Sequence, residues 1–344
     1  LILLLVCIGL VACDSQEAQE AERPEAPAQP AQPVPEMDTV KINYQPFLSY
    51  APVVIAYEEE YFAEQNIAIE FVTLKRSVVG VPALAEGELD VLTGALNAGT
   101  LNAIARGAKL RLVADKGHID DGPPPTTALF MRKELVESGV LEDPARMRGM
   151  KCAWHRDNVT AMFVETALNR LGVETADMEM LYLPNMSRME SIAKGSLDMV
   201  SMTEPWLTRL KEAGNCEIVV PDYEVLAGSH FAGVTFGPSL IEERPEVGRR
   251  FMIAYLKGVR SYNEGKTPRN IEILAQHTKL EPELVKQAAW IAVRNDGRVN
   301  VESIMAFQDW ALKNELLDRK LSAGEFWEPA FAEYAAKMLD QPAD

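Results

Sequence analysis

Three short segments of this 344-residue chain gather rings, amides and titratable groups at the ends of apolar runs. Tyr44-Gln45-Pro46-Phe47 offers two ring faces and an amide. Trp154-His155-Arg156-Asp157-Asn158 offers an indole, an imidazole and an amide at a strand-to-helix turn, and Glu204-Pro205-Trp206 sets a carboxylate beside an indole. Rings with a few polar tips suit the holding of a flat or apolar solute that carries few polar groups. They do not spell a reaction. The four His show no metal-ligand spacing, no Ser-His-Asp order can be defended, and no glycine-rich loop is placed to cradle phosphate. The chemistry expected is reversible binding, with no metal, no cofactor and no catalysis.

The elements that must position these residues follow from a repeat. Leu84-Ala85-Glu86-Gly87-Glu88-Leu89-Asp90-Val91-Leu92 returns as Ile192-Ala193-Lys194-Gly195-Ser196-Leu197-Asp198-Met199-Val200. In each copy a helical run stops at a Gly, and Leu-Asp leads into a short apolar strand. Upstream, Val40 to Tyr44 reads as a strand, Pro52 to Gln65 as a helix and Ile67 to Leu74 as the next strand. The second copy repeats the order with Met150 to Trp154, Thr160 to Leu171 closed by Gly172, and Met178 to Leu183. Two β-α-β-α-β lobes result, each a mostly parallel sheet with helices on both faces. Asp90 and Asp198 fall at the entry of a strand, which predicts a structural turn for both.

The order of Gly87-Glu88-Leu89-Asp90-Val91, Gly94, Asn97, Gly107 to Ala114, Gly195-Ser196-Leu197-Asp198-Met199 and Thr203-Glu204-Pro205-Trp206 resembles the extracytoplasmic solute-binding proteins of ABC importers. The branch in question serves nitrate, sulfonates, taurine and thiamine-pyrimidine precursors. Phe251 to Gly265, Phe307-Gln308-Asp309-Trp310 and Phe331-Ala332 are similar to its C-terminal helices, so the resemblance spans about residues 38 to 340. It implies the α/β, type II periplasmic-binding-protein fold, with two doubly wound lobes joined by two crossing segments that close like a hinge. Thr127 to Arg132 and Ala232 to Phe236 read as the crossing strands. The expected domains are lobe one over 38–132, lobe two over 133–230, and a return to lobe one over 231–344.

In such sheets ligands gather beyond the carboxyl ends of strands, where helix N-termini point inward. That selects the loops Tyr44 to Tyr50, Lys75 to Val79 and Thr93 to Ala98 in lobe one. In lobe two it selects Trp154 to Thr160, Pro184 to Arg188 and Met202 to Trp206. The expected ligand contacts are Tyr44, Gln45, Phe47, Asn97, His118, Trp154, His155, Asn158, Asn185, Glu204 and Trp206. Several have a second reading. Phe47 and Trp154 can serve as packing, and Asn97 and Asn158 as helix caps. His118 and His230, beside the crossing strands, can be structural hydrogen-bonders, and Ser187 to Glu190 has the spacing of a capping box. Glu204 suits an amine or hydroxyl. Arg76, Arg156 and Arg188 would favour an oxyanion if turned inward, and at least two of them are expected to face solvent. A neutral or mixed organic solute is preferred to nitrate.

The ends of the chain bear on location. Leu1 to Ala12 is apolar, too short to span a bilayer, and is read as part of a signal peptide. Leu10-Val11-Ala12-Cys13 resembles a bacterial lipobox, which implies lipidation at Cys13, and Asp14 after it implies retention at the inner membrane. Residues 13–37, rich in Ala, Glu, Gln and Pro, read as a leash. Net charge is −17; six acids against Arg23 give the leash −5, leaving −12, a poor match for nucleic acid. Of four cysteines, Cys152 and Cys216 fall in lobe two, bridged or free. The expected protein is therefore a periplasmic, lipid-anchored monomer whose partners are a small solute and ABC permease subunits. The rival functions are a ligand sensor for a membrane signalling partner and a same-fold enzyme of the thiamine-pyrimidine synthase or dehydratase kind.

Overall fold

The computed structural model describes residues 37–341 apart from Lys75, and places ten strands there in two five-stranded sheets. The signal segment 1–12, Cys13 and nearly all of the leash lie outside the described residues. The first sheet has the order β2-β1-β3-β10-β4, with β1 at Asp38–Tyr44, β2 at Ile67–Thr73, β3 at Val91–Ala95, β4 at Arg111–His118 and β10 at His230–Phe236. The second has the order β7-β6-β8-β5-β9, with β5 at Thr127–Arg132, β6 at Lys151–Trp154, β7 at Glu179–Tyr182, β8 at Met199–Thr203 and β9 at Cys216–Pro221. One strand in each sheet runs against the rest: β10 is antiparallel to β3 and β4, and β5 to β8 and β9. These two antiparallel strands are the ones expected from the sequence to cross between lobes.

Both faces of each sheet carry an apolar cluster, which is why the central strands read as continuous apolar runs. On the first sheet, Val40, Ile42 and Val234 pack against Phe251, Tyr255 and Leu256 of the helix Pro245–Asn263. The opposite face packs Leu92, Leu101 and Leu110 against Ile304 and Phe307 of the helix Val301–Lys313. On the second sheet, Leu129 and Cys152 pack with Phe163 and Leu168, and Phe130 and Val200 with Ile192 and Leu207.

The repeated nonapeptides adopt the same conformation for the same reason. Gly87 and Gly195 sit at φ +76° and +72°, the left-handed region that closes the preceding helix. The Asp three residues on then clamps the strand that runs parallel beside its own, β1 in the first sheet and β6 in the second. Asp90 Oδ2 accepts from Lys41 N at 2.8 Å while Asp90 N donates to Lys41 O at 3.0 Å. Asp198 does likewise with Lys151, at 2.9 Å for both bonds. An arginine completes each clamp, Arg244 Nη2 at 2.9 Å from Asp90 Oδ1 and Arg132 Nη2 at 2.7 Å from Asp198 Oδ1. The structural reading of this pair is therefore what the hydrogen bonds display.

Four expectations are corrected. Thr127–Arg132 was assigned to lobe one (38–132), yet β5 pairs with β8 and β9, so the chain has already crossed. His230, placed in lobe two (133–230), begins β10 of the first sheet. The crossings are thus the stretches 119–126 and 222–229, tied together by Ile119 N to Ser229 O at 2.9 Å and Gly228 N to Ile119 O at 2.8 Å. The helix expected over Pro52 to Gln65 is two, Ala51–Glu58 and Tyr61–Glu64, because Glu60 between them is left-handed at φ 58°. Ser187 caps nothing: its helix, Asn185–Ala193, starts two residues earlier with Pro184 at the cap.

Candidate functional site

Carboxyl ends of strands from both sheets face a shared cavity of about 540 Å³. The first sheet contributes Gln45, Phe47 and Tyr50 after β1, Gly94 and Ala95 at the end of β3, and Lys116 near the end of β4. The second contributes Thr127 at the start of β5, His155 and Asn158 after β6, Tyr182 and Asn185 at and after β7, and Glu204 and Trp206 after β8. Arg76, Ser77, Phe231, Ala289 and Ile291 are also among the lining residues. The volume falls within the few hundred cubic ångströms usual for small-molecule sites.

Seven of the eleven residues singled out in the sequence line this cavity: Gln45, Phe47, His155, Asn158, Asn185, Glu204 and Trp206. Four do not. Tyr44, the last residue of β1, packs its ring on Phe71 and His277 and donates from its hydroxyl to His277 O at 2.7 Å. Asn97 spends its side chain on capping, with Oδ1 accepting from Thr100 N at 2.9 Å and Nδ2 donating to Ala95 O at 2.9 Å. It borders a separate recess of about 40 Å³. His118 sets Nδ1 3.1 Å from Asp115 Oδ2 at the crossing. Trp154 packs with the second-lobe core, and its carbonyl accepts from Arg188 Nη2 at 2.8 Å.

Arg188 turns inward, but onto carbonyls. Its remaining donors reach Leu183 O at 2.7 Å and Ser201 O at 2.9 Å, so it ties β6, β8 and the loop after β7 from within. Burial pushes its guanidinium down to about 10. Arg156 is exposed, and Arg76, also exposed, reaches across the cleft to Asp157 Oδ1 and Oδ2 at 3.3 Å each. The lobes meet there through backbone as well: Ala98 N donates to Asp157 O and Val159 N to Leu96 O, both at 3.0 Å. A further tie lies outside the cleft, where Glu165 accepts from Trp310 Nε1 at 2.8 Å.

Charge in the wall is sparse and mostly committed. Glu204 Oε1 accepts from Thr208 Oγ1 at 2.8 Å and Ala289 N at 3.0 Å, and Oε2 from Thr208 N at 3.1 Å. Burial outweighs these bonds and raises its pKa. Its expected role as a free acceptor is thus largely taken by the protein. His155 is pushed down to about 3 by burial and by Arg188 and Arg76, so it is neutral at pH 7. Two polar atoms of the wall are buried without a protein partner, Thr127 Oγ1 and Asn185 Oδ1.

Sequence reasoning missed the floor. Tyr50, 2% exposed, is held by Asn43 Nδ2 at 2.7 Å and by its own hydroxyl donating to Thr93 O at 3.1 Å. Burial pushes its phenol up to about 12. Lys116, 1% exposed, places Nζ 4.2 Å from the centre of the Tyr50 ring. Burial pushes its ammonium down to about 7, against the pull of Asp115. Asp115 lies on the other face of β4; against burial, which would raise it, contacts from His118 and His230 hold its carboxyl well below the usual range. A signal for Lys116 was present: a lysine inside an apolar strand, flanked by Asp115 and Gly117.

Residues 34–278 match the model of the NMT1-like family. The chain belongs to the NMT1-like family. No curated protein sequence matches this family member. Among solved structures it is similar to the ligand-binding component of an ABC-type import system from Staphylococcus aureus, solved with zinc bound. That likeness has 15% identity and a TM-score of 0.69 over 87% of this chain and 99% of the other. The periplasmic nitrate-binding protein NrtA from Synechocystis PCC 6803 gives 12% and 0.68 over 89% and 90%. The periplasmic aliphatic sulphonate-binding protein SsuA from Escherichia coli gives 17% and 0.66 over 84% and 97%. At these identities the likeness is one of fold, and it agrees with the two mostly parallel sheets expected from the repeat. Among the described residues no group of three His, Cys, Asp or Glu could hold a metal ion. No described helix is long and apolar enough to cross a membrane.

Proposed function

We propose that this NMT1-like chain binds a small organic solute between its lobes by hinge closure and delivers it to an ABC permease. The carrying observation is the cavity of about 540 Å³ walled from both sheets at the carboxyl ends of their strands. Two short crossings, 119–126 and 222–229, are the only covalent links between the sheets among the described residues, which is the arrangement hinge closure needs. The binding proteins of ABC importers that share the fold support the same reading. The contacts we assign are Gln45, Phe47, Tyr50, Lys116, His155, Asn158, Asn185 and Trp206. On this reading lobe one comprises the first sheet with the helices after Pro245, and lobe two the second sheet. The chain works as a monomer in the periplasm, tethered through lipid on Cys13 to the inner membrane.

The test is to denature protein purified under native conditions and identify what it releases. A single small solute near one equivalent, recovered with unchanged mass after prolonged incubation with fresh protein, is expected. Conversion of that solute to a product would establish an enzyme instead. Absence of any released solute, with no stabilisation by periplasmic extract, would remove the binding reading.

A further inference from the structure

Lobe one holds a second, smaller cavity with one polar demand that the fold leaves unmet. The recess of about 40 Å³ lies between strands β3, β10 and β4 and the helices Ala98–Ala105 and Val301–Lys313. Leu92, Leu101, Ile104, Leu112, Ile304 and Phe326 make most of its wall apolar. The recess and the cleft share Ser77, Gly94 and Ala95, so a single wall separates them. Ser77 stands against the bare face of Gly94, where any Cβ would collide with it. It belongs to the short turn Ser77–Gly80 at the cleft rim, so a small movement of that turn joins the two spaces.

The unmet demand is that of His230. A register irregularity in β10 just after His230 turns its ring to the face that carries Gly233. Nε2 lies 3.0 Å from where a Gly233 Cβ would stand, and Gly233 lines the recess with it. His230 is 1% exposed, and neither ring nitrogen completes a well-aligned hydrogen bond inside the protein. Nδ1 nonetheless faces Asp115 Oδ1 at 3.3 Å. That carboxylate draws the proton of a neutral imidazole to Nδ1 and leaves Nε2 as an acceptor. Asn97 and Thr100, which also border the recess, satisfy each other, Thr100 Oγ1 donating to Asn97 Oδ1 at 3.2 Å. Water alone fits poorly: about three waters would fill the space, each seeking about two to four polar partners in a mostly apolar wall.

Resting on the binding reading above, we propose that the recess is a specificity pocket of the cleft. The solute sends a short arm past Ser77 and Gly94 into lobe one, and a hydroxyl or N–H at its tip donates to His230 Nε2. The arm is apolar along its length and has about three non-hydrogen atoms, the space of as many waters. A solute without it leaves Nε2 unsatisfied, and one with a longer or branched arm meets Ile104 and Ile304. Selection by the arm operates whatever group the solute places in the main cavity.

Two model arms test this: 1-propanol, which has the donor, and 1-chloropropane, which lacks it. Both, and the solute recovered from the protein, should shift the methyl NMR resonances of Ile104 and Ile304 in the wild type. The nitrogen resonance of His230 Nε2 should move for 1-propanol and the recovered solute but not for 1-chloropropane. His230→Leu should weaken 1-propanol about fivefold, the size of a neutral hydrogen bond, and leave 1-chloropropane unchanged. Ile104→Phe should abolish both sets of shifts and weaken the recovered solute at least about tenfold, the worth of two buried methylenes. Melting curves verify that both variants are folded, and the wild-type resonances decide where one is not. Shifts confined to Ile291 in the main cavity, a His230 resonance indifferent to 1-propanol, or unaltered affinity of the recovered solute for Ile104→Phe would overturn the proposal and leave the binding reading standing. Failure of the wild type to release any solute would remove the binding reading and the arm with it.

Discussion

Replacing Lys116 with Met should make the solute-free protein more stable near pH 6, although it removes a group of the binding site. In the unfolded chain this lysine titrates near 10.5, and in the folded chain burial brings it to about 7. Between those values folding releases a proton, and below pH 7 the folded state must keep a charge in a desolvated place. The cost is complete below pH 7, shrinks as pH rises from 7 towards 10.5, and is gone once both states are neutral. At about 1.36 kcal/mol per tenfold change in proton affinity, the limiting value is on the order of 5 kcal/mol. Loss of the contact with the Tyr50 ring returns about 1–2 kcal/mol of this, so a net gain of roughly 3 kcal/mol is expected at pH 6. For a chain of this size that is a rise in melting temperature of about 5 °C. Thermal unfolding followed by circular dichroism at pH 6, 8 and 10 measures it. A variant that melts lower at pH 6, or a difference that does not shrink by pH 10, would refute the reasoning.

Affinity for a solute that accepts from the Lys116 ammonium should fall as pH rises above about 7, approaching tenfold per pH unit, because binding must then take up the proton that Lys116 has lost. The other groups around the cavity do not mimic this: His155 is already neutral, Tyr50 stays protonated to about 12, and the carboxyl of Asp115 is held well below the usual range. Burial raises the pKa of Glu204; calorimetry from pH 6 to 9 reads the slope. Asp90→Asn and Asp198→Asn should each lower the denaturant midpoint by the equivalent of about 1–3 kcal/mol, since each clamp loses a charged acceptor, with solute affinity unchanged. Loss of affinity in either would place that aspartate in the site. Cys152 and Cys216 are free, and burial pushes them up to about 12 and about 11, so a thiol reagent at pH 8 should reach them only after unfolding. Rapid labelling of native protein would contradict their burial.

The repeat made the two lobes legible, because a helix-closing glycine and a strand-entry aspartate are local demands that chain order alone displays. The crossing strands were legible as apolar runs, but their sheet was not: β5 and β10 each join the sheet that their hydrogen bonds reach, a non-local choice. Loop residues of the site fared well, since a loop at a strand's carboxyl end has few other places to point. Residues within strands fared badly. Tyr44 and Tyr50 are both rings beside one loop, and only packing against Phe71 and His277 removes the first from the cleft. On β4, alternation separates Lys116 from Asp115, but which face is the cleft depends on the opposing lobe. The arginine at 188 was read as cleft or solvent, while three carbonyls from distant segments claim it.

Closure of the lobes over a solute is the central claim, and a distance across the cleft tests it most directly. Val79 and Met186 are exposed, on opposite lobes, beside the wall residues Ser77 and Asn185 respectively. Spin labels on Val79→Cys and Met186→Cys, with the buried native thiols unreactive, report their separation by double electron–electron resonance. Addition of the solute recovered from the protein should shorten and narrow the distance distribution, in proportion to occupancy. A distribution unaltered at saturating solute would contradict hinge closure.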